Sequence, residues 1–225
     1  MERIIALLPM KGTSERVPNK NLKNFNGKPL YHIILNTLLK SKYIKGIVIN
    51  TDGKQLKSDI LANFKDKVTI FDRKEEICGN YVSMNKIIEY DISKIDADIF
   101  IQTHSTNPLL KVETIDKAIE KMIYLNKYKQ KDSVFSVTKL QTRLYEKTGE
   151  ALNHNPEELL RTQDLEPLFE ENSNFYIFTK ESFNKANGKR IGLNPYMFEV
   201  DKIEAVDIDE PQDFIIAETL YKLLS

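Results

Sequence analysis

Two short stretches of the chain gather side chains suited to phosphate chemistry. The first runs Pro9-Met10-Lys11-Gly12-Thr13-Ser14-Glu15-Arg16-Val17-Pro18-Asn19-Lys20-Asn21 and places three cations, Lys11, Arg16 and Lys20, within ten residues. Gly12 allows the backbone to approach a ligand closely, and Ser14 offers a hydroxyl. Successive N–H groups and flexible cations can surround the oxygens of a polyphosphate. On composition alone, a solvated basic loop is the competing account. The second stretch is Ala205-Val206-Asp207-Ile208-Asp209-Glu210-Pro211-Gln212-Asp213. On a strand, residues two apart point to one side, so Asp207 and Asp209 can converge. A hard dication such as Mg²⁺ needs few carboxylates when phosphate oxygens and water complete its shell. Asp209 or Glu210 could instead cap a helix opening at Pro211.

Other phosphate and cofactor motifs are excluded. Gly12 is not followed by a second glycine, Lys and Ser/Thr at Walker A spacing, Gly27-Lys28 runs into Pro29, and no GxGxxG fingerprint is present. No Ser-His-Asp or Cys-His arrangement is apparent. The single cysteine, Cys78, has no partner for a disulfide or a zinc site. Lys+Arg and Asp+Glu both total 33, so there is no overall basic field to gather nucleic acid or an anionic membrane. The apolar stretch Ile4–Pro9 is too short for a signal or membrane span and reads as a buried strand. A reducing, cytoplasmic setting is the expectation.

The elements that must position these residues follow from periodicity. Strands are expected at Ile4–Leu8, Gly46–Asn50, Val68–Phe71, Ile99–Gln102 and Ser133–Thr138. Helices are expected from Pro29, where Leu30, Ile33, Ile34 and Leu38 share a face, and over Asn80–Ile92 and Val112–Leu125. This β-α-β-α rhythm predicts a doubly wound, mostly parallel α/β sheet. It breaks from Lys139 to Asn172, a polar segment without a sustained period. So long a loop is improbable inside a compact domain, which suggests an insertion packing on another subunit. Strands at Asn174–Thr179, Tyr196–Val200 and Ile203–Ile208 and a helix over Pro211–Leu224 complete the expected single domain, residues 1–225. In open parallel sheets, ligands bind beyond the carboxyl ends of the strands, which draws attention to the loop after the first.

Lys11-Gly-Thr-Ser-Glu-Arg-Val-Pro-Asn-Lys-Asn21, followed by Asn26-Gly-Lys-Pro-Leu30, resembles the signature of acylneuraminate cytidylyltransferases. The resemblance implies a Rossmann-like nucleotidyltransferase fold whose insertion forms a dimer arm. It implies that Lys11, Ser14, Arg16 and Lys20 hold the phosphates of CTP, that Gly12 lets the backbone close on them, and that Asn21 contacts the nucleoside. Lys11 stands where the family usually has Arg, keeping the charge without the bidentate fork. Val48-Ile-Asn-Thr-Asp52 is similar to the family's strand ending in Ser-Thr-Asp. Arg73 and Ser83 fall near the positions of an Arg and a Ser beside the nucleotide.

Gln102-Thr-His-Ser-Thr-Asn-Pro-Leu-Leu110 resembles an element that contacts the sugar, with His104 in place of the usual Gln, Gln102 two residues upstream and Thr106 within it. Leu160-Arg-Thr-Gln-Asp164 and Asn172-Ser-Asn-Phe-Tyr176 resemble further family elements. They bring in Arg161 and Tyr176, with Lys139, as sugar-binding candidates. The acidic stretch is similar to the closing Ile-Asp-x-x-x-Asp motif, which implies Mg²⁺ on Asp207 and Asp209.

The implied reaction is attack of the anomeric hydroxyl of an acidic 2-keto-3-deoxy sugar on the α-phosphorus of CTP. Lys20, Arg16 and Asp209 would be its main catalytic groups, and Lys11 would join in stabilising pyrophosphate. A homodimer is expected, and no nucleic acid or membrane partner. A related enzyme using another nucleotide or sugar, and a non-catalytic nucleotide-binding relative, are the alternatives.

Overall fold

The structure is a computed structural model that describes residues 2–224. Its centre is a seven-stranded sheet. The chain runs through β1 (Ile4–Leu7), a short hairpin of β2 (Asn24–Phe25) and β3 (Lys28–Pro29), α1 (Leu30–Lys40), β4 (Ile44–Thr51), α2 (Lys54–Phe64), β5 (Thr69–Asp72) and α3 (Met84–Ser93). It continues through β6 (Ile99–Thr103), α4 (Val112–Lys127), β7 (Ser133–Leu140), β8 (Leu168–Phe178), α5 (Lys180–Lys185), β9 (Pro195–Glu199) and α6 (Pro211–Leu224).

The strand order is β5-β4-β1-β6-β8-β7-β9. Only β8 runs against the others, pairing antiparallel with both β6 and β7. The order reverses at β1, which hydrogen-bonds β4 on one side and β6 on the other. The loop leaving β1 therefore lies over the crevice that such a switch point opens.

Alternation along β1 divides the core. Ile4, Ala6 and Leu8 join the cluster containing α1, α2 and α4 side chains, while Ile5 and Leu7 join Ile88, Ile92 and Phe100 on the other face. A third, smaller cluster unites Val17, Phe25, Leu30, Ile33, Ile208, Phe214 and Ala217. It packs the β1 loop, the hairpin, α1 and α6 together. The hairpin turns on Asn26 and Gly27, both at positive φ (48° and 84°), as a two-residue turn of this kind requires.

The expected doubly wound sheet is present, with corrections in detail. The hairpin at 24–29 and helices α2 and α5 were not anticipated. Pro29 precedes α1 as its N-cap rather than opening it, and α3 begins at Met84 instead of Asn80. The irregular segment is shorter than expected, 141–167, because β7 extends to Leu140 and β8 begins at Leu168. Ile203–Ile208 is not a strand. The Asp201 carboxylate accepts from the Ile203 N–H, and the Ala205 N–H donates to the Asp201 carbonyl, closing a turn there.

The carboxyl ends of β1 and β4 are tied by a buried polar network. Arg73 donates from Nε to Asn50 Oδ1 at 2.9 Å and from Nη2 to the carbonyls of Asn50 and Met10 at 2.9 and 3.2 Å. Asn50 in turn donates to Asp91 at 2.6 Å. Burial pushes the Asp91 carboxyl up to about 7, against the opposing pull of Asn50 and Arg73. Between its ordinary value of 3.8 and about 7 the native state holds the extra proton, so this group's contribution to stability falls as pH rises. Replacing Asp91 with Asn should raise stability relative to wild type more at about pH 8 than at about pH 5 in urea titrations. An equal difference at both would show that Asp91 does not titrate as described.

Candidate active site

The β1 loop and the acidic segment face each other across one cleft of ≈ 560 Å³. Lys11, Ser14, Arg16, Lys20 and Asn21 line it from the loop, His104 and Thr106 from the segment after β6, and Asp207 and Asp209 from the acidic end. Gly12 lies behind this wall, where a Cβ would stand 2.4 Å from the Gly53 Cα. Only a glycine permits that approach, and the Gly12 N–H donates to Asp52 Oδ1 at 2.7 Å. Asp52 thus anchors the loop to the end of β4.

The acidic segment is placed by the residue between its aspartates. Ile208 is fully buried in the third cluster, so Asp207 and Asp209 flank an apolar anchor and both reach the cleft. Backbone bonds reinforce this, from the Ile208 N–H to the Thr106 carbonyl at 3.0 Å and from Lys20 Nζ to the Ile208 carbonyl at 2.5 Å. The convergence expected of a strand is achieved without one. Asp213, in the first turn of α6, tethers the segment from the other side, its Oδ2 accepting from the Asp209 and Glu210 N–H groups at 3.1 and 2.7 Å.

Opposite charges meet across the cleft. Arg16 bonds Asp209 at 2.8 Å and Glu210 at 3.2 Å, and Lys20 Nζ lies 3.9 Å from Asp209. Burial lowers the Lys20 pKa, with Asp209 and Asp207 opposing. Burial first, then the Asp209 charge, raises that of Asp207. Such a desolvated carboxyl beside a second one is a site whose charge a cation would stabilise. Among the described residues no group of three or more His, Cys, Asp or Glu side chains is placed to hold a metal. The pair fits a dication that takes most of its shell from phosphate and water.

Other sequence candidates lie elsewhere. Arg73 belongs to the buried network below the cleft. Ser83 caps α3, its hydroxyl accepting from the Asn85 N–H. Gln102 is buried and bonds the Thr103 carbonyl and His104. Tyr176 is a core residue whose hydroxyl bonds Glu171 and Ser173, and burial pushes its pKa up to about 12. Lys139 lines a separate hollow with Gln141 and Asp201. Arg161 is exposed and paired with Asp164 at 2.7 Å. Sequence reasoning missed Asn80, which bonds Lys11 Nζ at 3.3 Å, and Ser105, which donates to Asn21 Oδ1 at 2.6 Å. It also missed Arg190, in the irregular stretch before β9. Ser105 carried a signal, since it lies within the Gln102–Leu110 element, whereas nothing local marks Arg190.

The family model described as cytidylyltransferase matches residues 5–223. The chain belongs to the cytidylyltransferase family. Members of this family are CTP-dependent nucleotidyltransferases. Among its relatives, the CMP-N,N'-diacetyllegionaminic acid synthase of Legionella pneumophila is 27% identical, over 98% of this chain and 97% of the relative. The pseudaminic acid cytidylyltransferase of Campylobacter jejuni is 24% identical over 97% and 96%. A solved CMP:2-keto-3-deoxy-manno-octonic acid synthetase complexed with CTP superposes with a TM-score of 0.70 at 13% identity, covering 99% of this chain and 100% of that one. That last likeness establishes the nucleotidyltransferase fold. No helix of the described residues is long and apolar enough to cross a membrane.

The Ile208 anchor should contribute measurably to the stability of this cytidylyltransferase. Truncation of Ile208 to Ala should lower stability by about 2–5 kcal/mol, the usual range for a buried Ile. Denaturant titration measures the loss; a change below about 0.5 kcal/mol, typical of surface sites, would show the anchor to be dispensable.

Proposed function

We propose that this chain transfers CMP from CTP to the anomeric hydroxyl of an acidic 2-keto-3-deoxy sugar of the sialic, legionaminic or pseudaminic type, releasing pyrophosphate. One observation carries the reading: the cationic loop and the Asp207–Asp209 pair line the same cleft at the sheet's switch point. Family membership and the acidic-sugar enzymes among the relatives support the substrate class.

In this reaction the anomeric oxygen forms a bond to the α-phosphorus as the bond to the bridging α–β oxygen breaks. The hydroxyl proton passes to water, and pyrophosphate leaves with the bonding electrons. The task is charge stabilisation and alignment, with no covalent nucleophile. Lys11, Arg16 and Lys20 stabilise the departing pyrophosphate, and Ser14 and the loop N–H groups orient it. Asp207 and Asp209 would hold Mg²⁺, which supplies charge neutralisation at the phosphates when bound. Arg16 would then exchange its bonds to Asp209 and Glu210 for bonds to phosphate, and Lys20, held on the Ile208 carbonyl, would turn its charge from Asp209 to phosphate.

The segment 141–167 presents Leu152, Leu159 and Leu160 to solvent, at 53%, 91% and 46% exposure. This supports its use as a homodimer arm, from which Arg161 would reach the partner's cleft. A cytoplasmic setting suits the free thiol of Cys78. A Leu159→Asp variant should sediment as a monomer where wild type sediments as a dimer; a wild-type monomer would contradict the dimer.

The test of function is pyrophosphate release from CTP and Mg²⁺ across acidic 2-keto-3-deoxy sugars, with UTP, ATP and GTP in parallel. Release with CTP and one sugar class is expected. Release only with another nucleotide would move the chain to a neighbouring specificity, and CTP binding without release would favour a non-catalytic relative. Asp209→Asn should reduce turnover by at least about 100-fold while the melting temperature stays near wild type, as expected when transition-state charge stabilisation is removed. Turnover near wild type would remove Asp209 from the mechanism.

A further inference from the structure

The basic loop and the acid pair leave one cation of the cleft without a role. Arg190 forms part of the cleft wall and is held by neutral groups. Its Nε donates to Asn85 Oδ1 at 3.0 Å, its Nη1 donates to Gln102 Oε1, and its guanidinium lies 4.0 Å from the centroid of the Tyr176 ring. Among the described residues it makes no ion pair with a carboxylate, and its Nη2 donates to no protein group. The carboxylate whose charge acts on it, Glu171, already accepts from the Tyr176 hydroxyl. A guanidinium drawn partly out of water, with no counter-ion and with an unused edge in a cleft, is poised for an acceptor from a ligand.

The same contact fixes a second donor. Because Gln102 Oε1 accepts from Arg190, the Gln102 amide must turn its NH₂ to the Thr103 carbonyl at 2.9 Å and to His104 Nε2 at 3.1 Å. Nε2 is therefore the acceptor nitrogen of a neutral His104, and Nδ1 carries the proton. Burial, with Arg190 and Lys20 nearby, pushes His104 down to about 4, in agreement with a neutral ring. Nδ1–H has no protein partner among the described residues. Arg190 thus adds its own donor and sets the tautomer of another.

Their place in the sheet separates them from the phosphate loop. That loop leaves β1, whereas Arg190 rests on Gln102 of β6 and Tyr176 of β8, the next two strands along. We propose that Arg190 is a specificity-determining residue on the acceptor side of the cleft, donating to oxygens of the acidic sugar beside His104, which the family resemblance already places there. The inference rests on the functional reading above. A carboxylate and an acyl carbonyl present the same acceptor chemistry to these donors, and the experiment separates them.

The experiment measures KM for the sugar acid and for CTP separately in wild type, Arg190→Gln and Arg190→Lys. Loss of a charge-assisted hydrogen bond corresponds to a rise of about 10- to 150-fold in the sugar KM. The CTP KM should stay within about 2-fold, the split expected when binding to one substrate alone is removed. Arg190→Lys keeps the charge and should recover part of the loss; it also reads the same split should Arg190→Gln fold poorly. Comparing each sugar with its carboxamide and its deacylated form identifies the oxygen, because discrimination against the analogue lacking it collapses in Arg190→Gln. An unchanged sugar KM, or an equal rise for CTP, would overturn the assignment. Wild type inactive with every sugar acid would overturn the functional reading, and the subsite with it.

Discussion

The site depends on a small apolar cluster lying beneath it. Val17 from the basic loop and Ile208 from the acidic segment are buried together with Phe25, Leu30 and Phe214. These residues come from stretches nearly two hundred positions apart in sequence, and their contact holds the cations opposite the carboxylates. The ion pairs above cannot do this themselves. Arg16 and Asp209 are both more than half exposed, and exposed pairs contribute about 0–1 kcal/mol. Burying one such aliphatic side chain contributes about 1.5–3 kcal/mol without fixing the partner of any charge. Apolar packing therefore sets the positions, and the polar groups remain available for ligand.

That division explains how one cleft can hold both signs of charge. Lys20 and Arg16 neutralise Asp209 and Glu210 across it. On the proposed reading, a nucleotide arriving with Mg²⁺ would bring anions for the cations and a cation for the carboxylates. Both exchanges would preserve local neutrality, so neither would leave an unpaired charge in a partly desolvated site. The Gly12–Gly53 contact and the Asp52 bond hold the loop backbone at the carboxyl end of β4, while Arg73 and Asn50 stiffen the platform below. On the far side, His104 and Arg190 make a wall whose hydrogen-bond direction is set by the buried Gln102 behind them.

The parts of this design written in local sequence were readable, and those made by distant contacts were not. The strand and helix rhythm of the first half follows from periodicity, and the cations after Pro9 from residue type. The Asn26-Gly27 turn and the i, i+4, i+8 spacing of Leu56, Ile60 and Phe64 in α2 were also local signals, but passed over. Ile203–Ile208 has the composition of a strand, yet the Asp201 side chain closes a turn at its start. The backbone bonds of that segment go elsewhere, from the Val206 N–H to the Ile203 carbonyl and from the Ile208 N–H to the Thr106 carbonyl. Asp209 and Glu210 turn their carboxylates to Arg16, while Asp213 reaches back from the first turn of α6 to accept their N–H groups. Arg190 could not be found from spacing, since its meaning comes from Gln102 and Tyr176, eighty-eight and fourteen residues away.

The most direct test of the account is equilibrium binding of CTP by calorimetry, with and without Mg²⁺, to wild type and to a variant with Asp207 and Asp209 both changed to Asn. The account predicts that Mg²⁺ strengthens CTP binding in wild type and has no effect in the variant. CTP binding that ignores Mg²⁺ in wild type, or responds equally in both, would contradict the joining of the cationic loop and the acid pair into one site.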